Sequence, residues 1–173
     1  MSASRYELRV LTPADPGLMR ELNAVFGEAF NEPETYGAEP ADDGYLTTLL
    51  AKPHIVVIVA IQDEAVVGGL VAYELEKFER KRSEFYIYDL AVEYRHRRRG
   101  VATACMESLR EIAAERRAWG IFVQAALGDD AAVALYQRFG SREDVLHFDI
   151  PPRHVRELHG AELKGSELPD GVG

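Results

Sequence analysis

The sequence predicts a single-domain α/β fold: a mixed, mostly antiparallel sheet with flanking helices. Two observations carry this. Three strand-like segments follow one another between residues 55 and 93 with only short connections, which makes an antiparallel meander. After residue 93, segments of helical period alternate with short apolar strands.

Each element has a local reason. Residues 5–11 alternate Tyr6, Leu8 and Val10 with Glu7 and Arg9, as an opening strand does, and Thr12-Pro-Ala-Asp-Pro-Gly ends it. Residues 18–30 place Leu18, Leu22, Val25, Phe26 and Phe30 at helical spacing. Residues 31–40 carry two prolines and a glycine and read as a loop. Residues 42–50 form a short helix, capped by Asp42 or Asp43 and stopped before Pro53. Residues 55–61 and 65–74 make a hairpin across Gln62-Asp63-Glu64, and residues 85–93 add another strand. Residues 100–117 form a helix whose inward face is Val101, Cys105, Leu109 and Ile112. A strand at 121–126 follows, then a helix at 130–139 closed by Gly140 at the C′ position. Residues 145–150 read as the last strand, broken by Pro151-Pro152. The domain is thus expected over residues 1–150, with a polar tail over 151–173.

Composition narrows the function. Lys+Arg 20 against Asp+Glu 29 gives a net charge of −9, which repels nucleic acid and anionic membranes and attracts cations. No apolar run approaches the roughly 20 residues that span a bilayer. A single cysteine, Cys105, excludes an intramolecular disulfide and reads as core. The first residues lack an apolar export segment, so a cytoplasmic protein is expected. The charge is uneven. Residues 28–43 hold six acids (Glu28, Glu32, Glu34, Glu39, Asp42, Asp43) and no Lys or Arg, whereas every residue from Arg95 to Arg99 is Arg or His. The first region suits a cation and the second a polyanion. No cluster has metal-ligand spacing, and no metal is expected.

The most informative stretch is Ile87-Tyr-Asp-Leu-Ala-Val-Glu-Tyr-Arg-His-Arg-Arg-Arg-Gly-Val-Ala, a strand running through a basic turn into a helix. The first N–H groups of a helix have no internal partner and lie at the positive end of its dipole. A pyrophosphate accepts those hydrogens, nearby guanidinium groups add charge-assisted bonds, and Gly100 removes a side chain from the approach. Neither the Gly-x-x-x-x-Gly-Lys-Ser/Thr loop nor the Gly-x-Gly-x-x-Gly turn occurs.

Arg97-Arg98-Arg99-Gly100-Val101-Ala102 resembles the Arg/Gln-x-x-Gly-x-Gly/Ala signature of the GNAT superfamily of N-acetyltransferases. Tyr88-Asp-Leu-Ala-Val is similar to that family's central strand, and Ala132-Val-Ala-Leu-Tyr-Gln-Arg-Phe-Gly to its second motif. The resemblance implies acetyl-CoA as co-substrate. It also implies a sheet that splays beside the strand holding Asp89, Leu90, Ala91 and Val92, leaving backbone groups to pair with the pantetheine arm. Amides from Arg97 to Ala102, with Arg98, Arg99 and Val101 between them, would cradle the pyrophosphate. Arg95, His96 and Arg98 are candidates for the 3′-phosphate. Tyr136 matches a tyrosine that protonates the departing thiolate; packing between helix and sheet is the alternative. The family often has Asn where this chain has Asp129, which can cap the helix and, by its charge, hold an acceptor ammonium.

Phe26-Gly-Glu-Ala-Phe, Thr35-Tyr-Gly, Gly44-Tyr-Leu, Lys77-Phe-Glu, Gly128-Asp-Asp-Ala-Ala-Val and Leu146-His-Phe-Asp-Ile are similar to aminoglycoside 3-N-acetyltransferases of the GNAT type. That implies a polycationic aminoglycoside as acceptor, acetylated at its 3-amino group, with antibiotic resistance as the outcome. Binding it needs carboxylates from several segments. Glu28, Glu32, Asp42, Asp43, Asp129, Asp130 and Asp149 are the candidates. Asp89, a carboxylate among apolar neighbours at the centre of a strand, is the first choice for the base that deprotonates the amine, with Glu84 second; a structural Asp hydrogen-bonded to backbone is the alternative. His147 is a further candidate, read as structural. A homodimer is expected from the family habit and from the last strand as a candidate edge. Another amine acceptor, a non-catalytic acetyl-CoA sensor and a nucleic-acid module are the competing readings. The paired Asp89 and Tyr136 argue against the sensor, and the net charge argues against the nucleic-acid module.

Overall fold

The computed structural model describes residues 6–151. The chain divides into two compact units, residues 1–140 and 141–173. The first holds, in order, β1 (Glu7–Val10), α1 (Pro16–Phe30), α2 (Pro33–Gly37), α3 (Asp43–Leu50), β2 (Ile55–Gln62), β3 (Ala65–Lys77), β4 (Arg82–Val92), a 3-10 turn (Tyr94–His96), α4 (Val101–Glu115), β5 (Gly120–Val123) and α5 (Asp130–Tyr136). The strands form one sheet in the order β1-β2-β3-β4-β5. All neighbours are antiparallel except β4 and β5, which are parallel because α4 carries the chain back between them.

The β2–β3 hairpin turns at Asp63 and Glu64, both left-handed with φ of 51° and 65°, the sign of twist that matches two right-twisted strands. Each face of the sheet then buries its own core. Ile55, Val57 and Val59 pack with Leu22, Phe26, Leu46 and Leu50 of α1 and α3. Val56, Ile58, Ala60, Phe85 and Ile87 pack with Val101, Cys105 and Leu109 of α4. A fully buried Leu22 or Leu109 contributes about 1.5–3 kcal/mol. Gly69 lets α1 lie close to the sheet, because a Cβ there would overlap the Ile58 carbonyl and stand 2.9 Å from Leu22 Cδ1.

Strand β4 carries the feature that makes a site. Val71 pairs with Asp89 and Ala72 with Ile87, so Tyr88 is an extra residue, a β-bulge. Side chains alternate faces along a strand, and one inserted residue reverses the alternation. Before the bulge Phe85 and Ile87 face the α4 core; after it Val92 does, with Leu90 packed alongside, and Ala91 faces α1. Asp89 is thereby turned to the α1 side instead of into the α4 core.

Beyond shifts of a few residues at other element ends, three elements differ from the sequence reading. Residues 31–40 contain helix α2, because Pro33 occupies a first-turn position whose missing N–H costs nothing. The helix expected over 130–139 ends at Tyr136, and turns continue to Gly140, whose φ is not left-handed, so it is no C′ stop. Residues 145–150 form no strand. Val145, Leu146, Phe148 and Ile150 are exposed, and the alternating pattern lacks strand partners among the described residues. The edge argument for a dimer goes with it.

Candidate active site

An open cleft of about 730 Å³ lies on the α1 side of the sheet. Ala29 and Phe30 at the end of α1 and Glu32, Thr35 and Tyr36 in and before α2 line one side. Tyr88 and Asp89 on the bulge and Asp129, which caps α5, line the other. Among the described residues its ionisable lining groups are three carboxylates and two phenols, with no Lys or Arg.

Asp89 is half-buried, and desolvation pushes its carboxyl above the ordinary value; the Tyr36 hydrogen bond acts the other way, and the Glu32 charge adds to the rise. A carboxylate raised in this way is a better proton acceptor than an ordinary one. The Tyr36 hydroxyl donates to Asp89 Oδ2 over 3.1 Å, and no hydrogen bond to Oδ1 is made among the described residues. Tyr36 is itself fixed by ring contacts to Phe26 and Phe30, with centroids 5.9 and 6.0 Å away. Gly27 permits this approach, since a Cβ there would sit 3.2 Å from Tyr36 Cβ. Burial, and then the Asp89 charge and hydrogen bond, push the Tyr36 phenol far above its usual range, so it stays a donor.

Tyr136 packs its ring against the α4-side core and is pushed up to about 12, first by burial and then by the Asp129 and Asp89 charges. It keeps its proton at neutral pH but holds it tightly. Full transfer to a thiolate of ordinary pKa about 8.5 is uphill, and hydrogen-bond donation is not. Asp129 accepts from Ala132 N at 3.0 Å as the α5 cap, and still lines the cleft.

The other acids of the first unit do not converge there. Asp42 caps α3 by accepting from Tyr45 N at 2.8 Å, and Asp43 pairs with Arg20. Glu28 and Asp130 are exposed and outside the cleft lining. Glu84 pairs with Lys77 at 3.4 Å, five residues along β4 from Asp89 or about 15 Å away. In the unit after Gly140, Asp149 bonds His147 at 3.0 Å. Of the predicted acids in the first unit, Asp89, Glu32 and Asp129 share the cleft. Sequence reasoning gave no role to Tyr36 or Tyr88. The Thr35-Tyr-Gly segment was a signal for the first, but nothing in one sequence marks a bulge for the second.

On the strand's other edge, pairing of β4 with β5 ends at Ile87 and Val123, so the sheet splays past that point and Leu90, Ala91 and Val92 lie beyond their neighbour. The turn into α4 is left-handed at Arg98 (φ 61°) and Gly100 (φ 85°), and no side chain caps the helix. Tyr6 braces it by donating to the Arg99 carbonyl at 2.7 Å. Arg97 Nε donates to the Val92 carbonyl at 3.0 Å, which ties strand end to turn, while Arg95, Arg98 and Arg99 are exposed. Uncapped amides, a bare glycine and exposed guanidinium groups fit a pyrophosphate. Among the described residues no group of three His, Cys, Asp or Glu is placed to hold a metal ion, and no helix is long and apolar enough to cross a membrane.

No curated protein sequence matches the chain. Solved structures do. An aminoglycoside acetyltransferase from an uncultured soil metagenomic sample is 50% identical, with a TM-score of 0.83 over 85% of this chain and 98% of that one. A second such enzyme, solved in complex with sisomicin, is 26% identical, with a TM-score of 0.80 over 86% and 97%. A ribosomal-protein-alanine N-acetyltransferase from Brucella melitensis biovar Abortus 2308 shares the fold, at 21% identity and a TM-score of 0.65 over 84% and 98%. The profile of the acetyltransferase (GNAT) family matches residues 19–141, the span that carries the splayed strand, the basic turn and the cleft, and the chain belongs to that family of acetyltransferases.

Proposed function

We propose that the chain transfers the acetyl group of acetyl-CoA to an amine of an aminoglycoside antibiotic, the 3-amino group by the sequence resemblance, and so confers resistance. The observation that carries this is the half-buried Asp89 facing a cleft lined, among the described residues, by three acids and no Lys or Arg. Such a cleft concentrates polycations and offers one carboxylate able to accept a proton. The two aminoglycoside acetyltransferases of similar structure, one bound to sisomicin, support the choice of acceptor.

Family members use acetyl-CoA, which supplies the acetyl group activated as a thioester. In this reading the amides from Arg97 to Ala102 hold its pyrophosphate, with Arg98 and Arg99 adding charge, and the backbone of Leu90, Ala91 and Val92 aligns its arm. Glu32 and Asp129 hold the ammonium groups of the acceptor. Asp89 takes the proton from the reacting ammonium, freeing the nitrogen lone pair. The Tyr136 hydroxyl donates a hydrogen bond to the departing sulfur. Acetyl-CoA is an intracellular metabolite, so the reading puts the enzyme in the cytoplasm; a homodimer belongs to it on the family habit alone.

The test is incubation with acetyl-CoA and a panel of aminoglycosides while free thiol is followed, with the product nitrogen identified by NMR. Thiol release dependent on an aminoglycoside, with the acetyl group on the 3-amino nitrogen, is expected. Release with simple polyamines or peptides but no aminoglycoside overturns the acceptor.

A further inference from the structure

Three tyrosines stand together on the open face of β3 and β4. Tyr88 lines the acceptor cleft and is 62% exposed. The rings of Tyr73 and Tyr86 lie nearly perpendicular to it, at 72° and 80°, with centroids 5.8 and 5.9 Å away. Tyr86 is in turn stacked on Phe122 at 4.9 Å, and its hydroxyl donates to Gln124 Oε1 at 3.1 Å. Tyr88 is thus held by neighbours that are themselves held, yet a core position for it exists on neither face. The bulge that turns Asp89 to the α1 side also projects this ring beside it.

The geometry points to a second binding position in the cleft: the Tyr88 ring, braced by Tyr73 and Tyr86, seats an ammonium group of the acceptor other than the one that reacts. The inference rests on the proposed aminoglycoside acceptor and deepens it. A ring face attracts a cation through its quadrupole, and the attraction grows where water is partly excluded. The charges around the ring favour a cation over a neutral apolar group, since Glu32, Asp89 and Asp129 line the same cleft and no Lys or Arg does among the described residues. Asp89 is occupied by the reacting nitrogen. A ligand with amines on two sugar rings carries several ammonium groups, and the neutral Tyr88 ring adds a cation seat to those of Glu32 and Asp129 without placing a further carboxylate next to the base.

The experiment compares neamine with paromamine, which differ by one amine replaced by a hydroxyl on the second ring. Thiol release is measured with wild type, Tyr88→Phe and Tyr88→Leu, and calorimetric binding of both compounds is measured in parallel. The expected result is that Tyr88→Leu raises KM and Kd for neamine about tenfold and leaves paromamine nearly unchanged, with kcat kept. Tyr88→Phe, which keeps the ring, should behave as wild type. An equal loss for both compounds, no loss for either, or a Tyr88→Phe defect as large as that of Tyr88→Leu overturns the seat. Absence of thiol release with any aminoglycoside would count against the proposed function instead. Calorimetry, which needs no turnover, then decides the seat by itself: a ring-dependent preference for neamine supports it, and no binding or no preference overturns it.

Discussion

The Tyr36 hydroxyl, on a five-residue helix, donates a hydrogen bond to Asp89 Oδ2 on the central strand, 53 positions away in the chain and 3.1 Å away in space. That bond lowers the Asp89 pKa against a larger desolvation that raises it. Removing it with Tyr36→Phe should therefore move the acid limb of the kcat/KM profile to higher pH. At neutral pH kcat/KM should fall about two- to tenfold, the worth of one net hydrogen bond. An unmoved limb would show that Tyr36 only packs against Phe26 and Phe30.

Asp89→Asn should lower kcat about 100-fold or more, on the scale of general base catalysis. Neutralising Glu32 or Asp129 with Gln or Asn should act mainly on KM, and more so at low salt, because binding contacts are equal in ground and transition states. Kinetics that change KM alone in Asp89→Asn would make Asp89 a binding residue. Glu84, tied to Lys77 and far along the strand, is a poor substitute.

The same variant carries a stability prediction of opposite sign. Folding raises the Asp89 pKa above its ordinary 3.8, so the folded state holds that proton more tightly than the unfolded chain. Above the folded pKa the buried charge costs stability; below 3.8 both states are protonated and the cost vanishes. Asp89→Asn keeps an acceptor for Tyr36 and removes the charge. Its Tm should exceed that of wild type at pH 7, and the two should converge as pH falls towards 3. A lower Tm at pH 7 would mean that the ionised carboxylate stabilises the fold.

Gly100 has a left-handed φ of 85°, and a Cβ there would lie 3.2 Å from the Tyr6 hydroxyl. Gly100→Ala should cost about 1–2 kcal/mol of stability from the backbone alone, read in denaturant titration, and Gly100→Val more. Calorimetry on the folded Ala variant should show weaker acetyl-CoA binding. Unchanged affinity would remove the turn from the phosphate site.

Tyr136→Phe keeps the ring in the core and removes the hydroxyl. Stability should hold, and kcat should fall about 10- to 100-fold with KM little changed. Because the phenol is pushed up to about 12, its loss of a proton should not limit the rate below pH 10. Wild-type kcat in the Phe variant would return Tyr136 to packing.

Much of this was legible in the sequence, for reasons that differ by element. The hairpin, the basic turn and the inward face of α4 follow from local periodicity and turn chemistry, which need no distant partner. Helix α2 did not, because Pro33 reads as a breaker unless its place in the first turn is known. The acid run overstated the cleft. A sequence shows that Asp42 and Asp43 are charged, but not that one is spent on a helix cap and the other on Arg20. Residues 145–150 alternate as a strand should, yet alternation describes only a surface able to pair.

The bulge at Tyr88 has a consequence for how β4 tolerates change. Upstream of it, positions sensitive to a polar replacement recur at Phe85 and Ile87; downstream they resume one step out of phase, at Leu90 and Val92 on the α4 side. A substitution scan along the strand should show two registers of sensitivity joined at a single residue. Closing the bulge by slipping the downstream pairing one step would rotate Asp89 into hydrocarbon, whereas deleting Tyr88 would leave it opposite Val71 on the α1 side. The parity of one strand, more than the identity of its core residues, keeps this carboxylate in reach of a substrate.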